Sequence, residues 1–285
     1  MYRKLCYVCL LVLLLLPAHS ALAQESGSGT TVYLPFIDGG NDGADGTLDV
    51  GDSALTDLLS EGDEAVAAAS HNDNGLVFVM TNANDPIRGN EVVMYRRTDD
   101  GTLVVTGRFP TGGQGLSAGL GSQGAVTLSD NGRWLFVVNA GSNELAVFAV
   151  YPYGLVLTDN VASGGVQPTS VTVRRGLVYV LNAGGSGNIR GFVLRRNGTL
   201  APLADSTRNL SNGGSGDAPA PAQVSFTPDG KALIVTERAT NLLDSYQIER
   251  NGTPTGPTPH ASSGVTPFGF AFAKHGTLVV SEAFG

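Results

Sequence analysis

The chain has 285 residues and a mass of 29.3 kDa, room for two ordinary domains or one large all-β domain. Its 39 glycines and 14 prolines follow no fixed period, which excludes collagen, and an apolar share of 42% excludes wholesale disorder. Charged residues make up only 15%, too few for the solvated faces of helical bundles or coiled coils; the balance suits many short strands joined by turns.

The net charge of −8 is unevenly placed. Residues 24–64 carry ten acidic side chains and no Lys or Arg, whereas residues 65–285 carry 15 of each sign. A phosphate-backbone binder needs a positive surface, so nucleic acid is not an expected partner.

At the start of the chain, Arg3 and Lys4 precede an apolar run from Leu5 to Leu16, ended by Pro17. That run is shorter than the roughly 20 residues a membrane-spanning helix needs. Ala21-Leu22-Ala23 then offers a small-x-small cleavage site. Residues 1–23 read as a secretory signal peptide cut before Gln24, which predicts a secreted protein, extracellular or periplasmic, with no membrane segment after cleavage. Both cysteines, Cys6 and Cys9, lie in the signal, so the mature chain is expected to have no disulfide and no thiolate metal site.

Residues 24–64 form an acidic leader. Thr31–Ile37 is one plausible strand, restricted to an edge or bulge by Pro35. Residues 38–52 have the texture of a calcium loop, with Asn41, Gly43, Asp45, Gly46 and Asp52 at loop positions 1, 3, 5, 6 and 12. The position-3 ligand and the bidentate Glu are missing, so the segment reads as a solvated acidic loop. Ser53–Ala69 has room for one short helix.

From residue 65 one unit recurs: a short apolar strand, a turn with glycine, a strand rich in Val, Leu and Phe, then two more strands. The second strands are predicted at Leu76–Met80, Trp134–Val138, Leu177–Leu181, Ala232–Val235 and Leu278–Val280. The third are predicted at Glu91–Tyr95, Glu144–Val150, Ile189–Leu194 and Leu243–Ile248. Three of these lead into Asp-Gly-Thr or Asn-Gly-Thr turns at 100–102, 197–199 and 251–253, which supply the positive φ of tight hairpins. First strands are predicted at 125–129, 170–173, 223–226 and 269–272. Four antiparallel strands at this spacing predict an all-β fold, a β-propeller of four-stranded blades over residues 65–285. About four and a half blades can be counted. The chain is therefore expected to be a fragment of a longer propeller; the competing expectation is that Val32–Ile37 closes a small ring.

The repeats resemble the lactonase-type seven-bladed propellers, the family of 6-phosphogluconolactonase and carboxy-muconate cyclase. The resemblance runs from Leu76 to Gly285. It rests on GRWLFVVNAGSNELAVFAV (132–150), GLVYVLNAGGSGNIRGFVLRRNGTL (176–200) and PAQVSFTPDGKALIVTERATN (221–241), above all on F-x-P-D-G-x-x-L-x-V-x-[NE] at Phe226–Glu237. The resemblance implies an enzyme that opens or closes lactone rings with a His, an Arg and a Glu near the central channel. The His belongs to an H-P-H-type segment, which here reads Ser122-Gln123-Gly124. The Arg belongs to a P-R-H segment, here Pro221-Ala222-Gln223. The Glu is matched by Glu237, and Arg238 beside it offers a cation from a different place.

The residues themselves carry the same chemistry. Opening a lactone needs a base for water and a donor for the developing oxyanion. Glu237 is the candidate base and Arg238 the candidate cation, and they can cooperate only if the strand ends between them, because consecutive strand residues face opposite ways. Asn139, Asn182 and Glu282 recur with Glu237 at equivalent blade positions; with Gln223 they are candidate ligand-binding residues or, alternatively, partners for turn backbones. His71, His260 and His275 lack metal-ligand spacing, and the glycine-rich stretch 112–124 lacks a P-loop lysine, so no metal and no cofactor is expected. That stretch reads as a long loop between blades. Two functions stay open: a secreted monomeric lactonase acting on a sugar lactone or similar cyclic ester, and a non-catalytic propeller binding a glycan or protein.

Overall fold

The structure, a computed structural model, describes residues 75–211 and 218–284. The signal peptide, the acidic leader with its strand, loop and helix, the first strand of the first blade and His71 all lie outside the described residues.

The described chain folds into five antiparallel sheets in chain order. Blade 1 has β1 (Leu76–Met80), β2 (Glu91–Arg97) and β3 (Leu103–Pro110). Blade 2 has β4 (Val126–Leu128), β5 (Trp134–Asn139), β6 (Glu144–Tyr151) and β7 (Gly154–Ala162). Blade 3 has β8 (Pro168–Arg174), β9 (Leu177–Asn182) and β10 (Asn188–Leu194), with an outer strand split into β11 (Leu200–Pro202) and β12 (Arg208–Asn209). Blade 4 has β13 (Pro221–Phe226), β14 (Ala232–Glu237), β15 (Leu242–Ile248) and β16 (Pro254–Ala261). Blade 5 has β17 (Val265–Phe272) and β18 (Leu278–Phe284). The sheets are those of an incomplete propeller, as the repeat predicts.

Burial explains the strand compositions. Second strands inside the stack are covered on both faces by neighbouring blades, so β5 (WLFVVN) is buried at every residue and reads as a continuous apolar run. Outer strands face solvent: Val104, Val105 and Val156 are exposed. An outer edge tolerates proline, because a missing N–H costs no ladder bond there. That is why β16 (PTGPTPHA) is a strand despite its three prolines, with His260 in it and its Nε2 3.0 Å from Ser245 Oγ.

Inner strands carry hydroxyls for a reason. Ser170 and Thr172 of β8 are buried, and their oxygens accept from the Val224 and Phe226 amides of β13 at 3.2 and 3.4 Å. Thr127 Oγ1 of β4 in turn donates to Val171 O at 2.8 Å. The inner strands of blades 2, 3 and 4 thus lean on one another through side-chain hydroxyls. Two apolar clusters fill the gaps between blades. One joins blades 1 to 3 around Phe78, Phe136, Phe148 and Phe192; the other lies between blades 3 and 4 around Tyr179, Phe226, Leu233 and Tyr246.

At one end of the blades the first-to-second turns lie beside the third-to-fourth turns. Val150 N donates to Arg133 O, Leu194 N to Gly176 O and Ile248 N to Lys231 O, at 2.9, 2.8 and 2.8 Å. The predicted Asn-Gly-Thr turns close there, with Thr199 N and Thr253 N bonded to Asn197 and Asn251 Oδ1. At Asn197-Gly198 the glycine has φ +82°, and an added Cβ would meet the Trp134 ring at 2.2 Å.

Candidate functional site

The residues that recur at the ends of the second strands sit at the seams between blades. Asn139 is fully buried; its Oδ1 accepts from Thr111 Oγ1 at 2.6 Å and Asn90 Nδ2 at 3.0 Å, both from blade 1 or its exit. Asn182 Nδ2 donates to Ser163 O, just past β7, at 3.4 Å. Glu237 accepts from Ser211, just past β12, through the amide at 3.0 Å and the hydroxyl at 2.7 Å. Glu282 Oε1 accepts from Ser262 Oγ, just past β16, and from Gly264 N at 3.2 Å. One rule covers four seams: the residue ending a blade's second strand grips the hydroxyl residue where the preceding blade ends. Gln223 bridges the inner strands of blades 4 and 5. Its Nε2 donates to Phe270 O at 3.0 Å and its Oε1 accepts from Phe270 N at 2.8 Å.

The seam between blades 3 and 4 holds a second acid that local sequence context did not single out. Asp244 on β15 stands opposite Val235, so it shares a sheet face with Glu237 and lies diagonal to it. Both are 0% exposed, and their carboxyls are hydrogen-bonded to each other. Burial first, then the bond to and the charge of Glu237, push the Asp244 carboxyl up to about 8. Burial and the neighbouring Glu237 thus favour the protonated form of Asp244. The buried Tyr246 phenol donates to Asn209 O at 3.0 Å, with Asp244 Oδ2 3.4 Å away, and Thr240 Oγ1 donates to Glu237 Oε2 at 2.5 Å. Among the described residues Asp244 Oδ1 has no hydrogen-bond donor.

β14 ends at Glu237, and Arg238 starts the next turn. The two side chains part. Glu237 turns into the seam, while Arg238 reaches the inner ends of the blades. There its Nε donates to Ala220 O at 3.0 Å and its guanidinium carbon lies 5.6 Å from the Phe268 ring centre. The glycine-rich stretch reaches the same place: Gln123 N donates to Ala222 O at 2.9 Å. Gly121, at φ +59°, leaves the space the guanidinium uses, since a Cβ there would meet Arg238 Nη1 at 2.9 Å. Among the described residues no ion pair joins Arg238 to a carboxylate. A half-buried guanidinium without a carboxylate partner offers its fork to an anionic or carbonyl oxygen.

A family model described as "Lactonase, 7-bladed beta-propeller" matches residues 67–214 and 186–283. The chain belongs to the lactonase seven-bladed propeller family. Among curated relatives, the 6-phosphogluconolactonase of Yersinia enterocolitica is 27% identical over 169 residues, which is 56% of this chain and 45% of the relative. The chain thus spans less than half the length of that relative. A solved Lactobacillus plantarum protein aligns with TM-score 0.62 and 18% identity over 74% of this chain and 62% of its own. The periplasmic gluconolactonase of Pseudomonas aeruginosa aligns with TM-score 0.56 and 20% identity over 73% and 60%. At these identities the two structures share the fold.

Ala222 and Gln123, from the two segments compared with the family's Arg and His, lie together at the inner ends of the blades, near Arg238. Among the described residues no three His, Cys, Asp or Glu side chains gather to hold a metal, and no helix is long and apolar enough to cross a membrane.

Proposed function

We propose that this chain is part of a secreted lactonase-like propeller that binds and opens a sugar lactone or related cyclic ester at the inner ends of its blades. The observation that carries this reading is the guanidinium of Arg238, held by Ala220 and Phe268 with no carboxylate partner, beside Gln123 and Ala222. Family membership supports the substrate class.

In the reaction a water oxygen bonds to the ring carbonyl carbon and the carbonyl oxygen gains negative charge. Collapse breaks the ring C–O bond, the leaving ring oxygen takes up the proton removed from the attacking water, and a hydroxy acid results. Arg238 stabilises the oxyanion, a contribution worth roughly 10²–10³ in rate for one such donor. Glu237, the candidate base, is buried in the seam away from Arg238 and engaged by Ser211 and Thr240 as folded, so it takes the water's proton only if Ser211 gives way and the carboxylate turns toward the Arg238 end. That enclosure favours the second reading, a propeller that binds the ring without opening it.

The test is lactone hydrolysis by the full chain, followed as acid release with glucono-1,5-lactone and its 6-phosphate. Arg238→Ala is expected to lower kcat/KM about 10²-fold or more, and Glu237→Gln to lower kcat. Equal rates for Glu237→Gln and wild type remove Glu237 as base. Lactone binding without turnover establishes the second reading.

A further inference from the structure

Overall neutrality hides a local excess of positive charge. Residues 163–211, which contain blade 3, carry six arginines (Arg174, Arg175, Arg190, Arg195, Arg196, Arg208) and one carboxylate, Asp205. Four of the arginines fall in two turns at the same end of the blade, joined by the Leu194 N to Gly176 O bond. Arg175, Arg195 and Arg196 are exposed, while Arg174 donates to Pro228 O of blade 4.

The basic track continues onto blade 2. The Asn197-Gly198 turn packs on Trp134, and the exposed Arg133 lies 5.5 Å from that ring's centre. Arg133 is in turn backbone-paired to Val150, next to Tyr151 and Tyr153, which are 54% and 91% exposed. Exposed guanidiniums on blade 3 and Arg133 on blade 2, with Asp130 in the same turn, thus lie at one end of the blades with two exposed tyrosines. The site discussed above lies elsewhere, at the inner blade ends.

We propose that this track is a binding surface for a linear anionic polysaccharide whose sugar rings bear carboxylate or sulfate groups. Forks on arginine match those groups in bidentate geometry. Exposed tyrosines supply flat apolar faces for the sugar rings, combining contact area with a polar tip.

Polyuronate binding to the full chain is measured by calorimetry in 50 and 200 mM NaCl, with neutral dextran, duplex DNA and phosphatidylglycerol vesicles as comparators. The expected result is binding to polyuronate that weakens at least about tenfold between the two salts, as counterion release requires, and no binding to dextran. Arg175→Glu with Arg195→Glu is expected to weaken it at least about tenfold further. Arg88→Glu, in the β1–β2 connection at the opposite end of the blades, is expected to leave it unchanged. Tyr153→Ala is expected to weaken polyuronate binding several-fold. No polyuronate binding, or no effect of the double charge reversal in a protein with wild-type melting behaviour, overturns the proposal. DNA or vesicles bound as tightly as polyuronate, with Tyr153→Ala silent, overturn the polysaccharide assignment.

Discussion

Replacing Asp244 by Asn tests the buried acid pair directly. In the folded protein the Asp244 carboxyl is pushed up to about 8, mainly by burial. In the unfolded chain it titrates near about 3.9. Between those values the native state holds the extra proton, so its stabilising effect is fully present below about pH 4 and lost as pH rises through about 8. The slope for one proton is at most about 1.4 kcal/mol per pH unit. From pH 5 to 8 that is at most about 4 kcal/mol; relaxation and screening by nearby water bring the expectation to about 2 kcal/mol. An asparagine amide donates to Glu237 as the protonated acid does but does not titrate. Denaturant unfolding of wild type and Asp244→Asn at pH 5, 6, 7 and 8 is the assay. Wild type is expected to lose about 2 kcal/mol across the series relative to the variant, and the variant to be the more stable protein at pH 8. Parallel pH profiles for the two proteins, or a wild type that gains stability relative to the variant as pH rises, would refute the reasoning.

Three further outcomes are expected. Ser211→Ala removes a hydroxyl bond to a buried carboxylate and should cost about 1–3 kcal/mol in denaturant unfolding, with lactone binding retained. Phe136→Ala opens a cavity among the packed rings of blades 1 to 3 and should cost about 3–5 kcal/mol, seen as a fall in melting temperature. Gly198→Ala places a Cβ against Trp134 at a positive φ; a destabilisation of at least about 1 kcal/mol with a changed tryptophan emission spectrum is expected, and an unaltered spectrum would mean the turn moves away.

Much of the fold is legible in local pattern. The run WLFVVN and the Asn-Gly-Thr turns declare a strand buried on both faces and tight hairpins. The broken outer strand of blade 3 and the proline-bearing β16 are not so declared, because outer edges accept residues that a sheet interior rejects. Recurrence of Asn139, Asn182, Glu237 and Glu282 is visible in the chain, but their partners lie at the exits of preceding blades, 19 to 28 residues upstream. Asp244 escapes notice because its meeting with Glu237 depends on the β14–β15 register. Arg238 is visible as a charge, yet its seat depends on Gly121 and Phe268, which come from two other blades. The arginines of blade 3 are plain in the chain but cancel in a sum taken over all the blades.

The seams have a further consequence. Blades 1–2 and 2–3 are buttoned by neutral amides, blades 3–4 and 4–5 by carboxylates. The seam between blades 3 and 4, where Asp244 must give up its proton, is therefore the one expected to weaken as the medium turns alkaline.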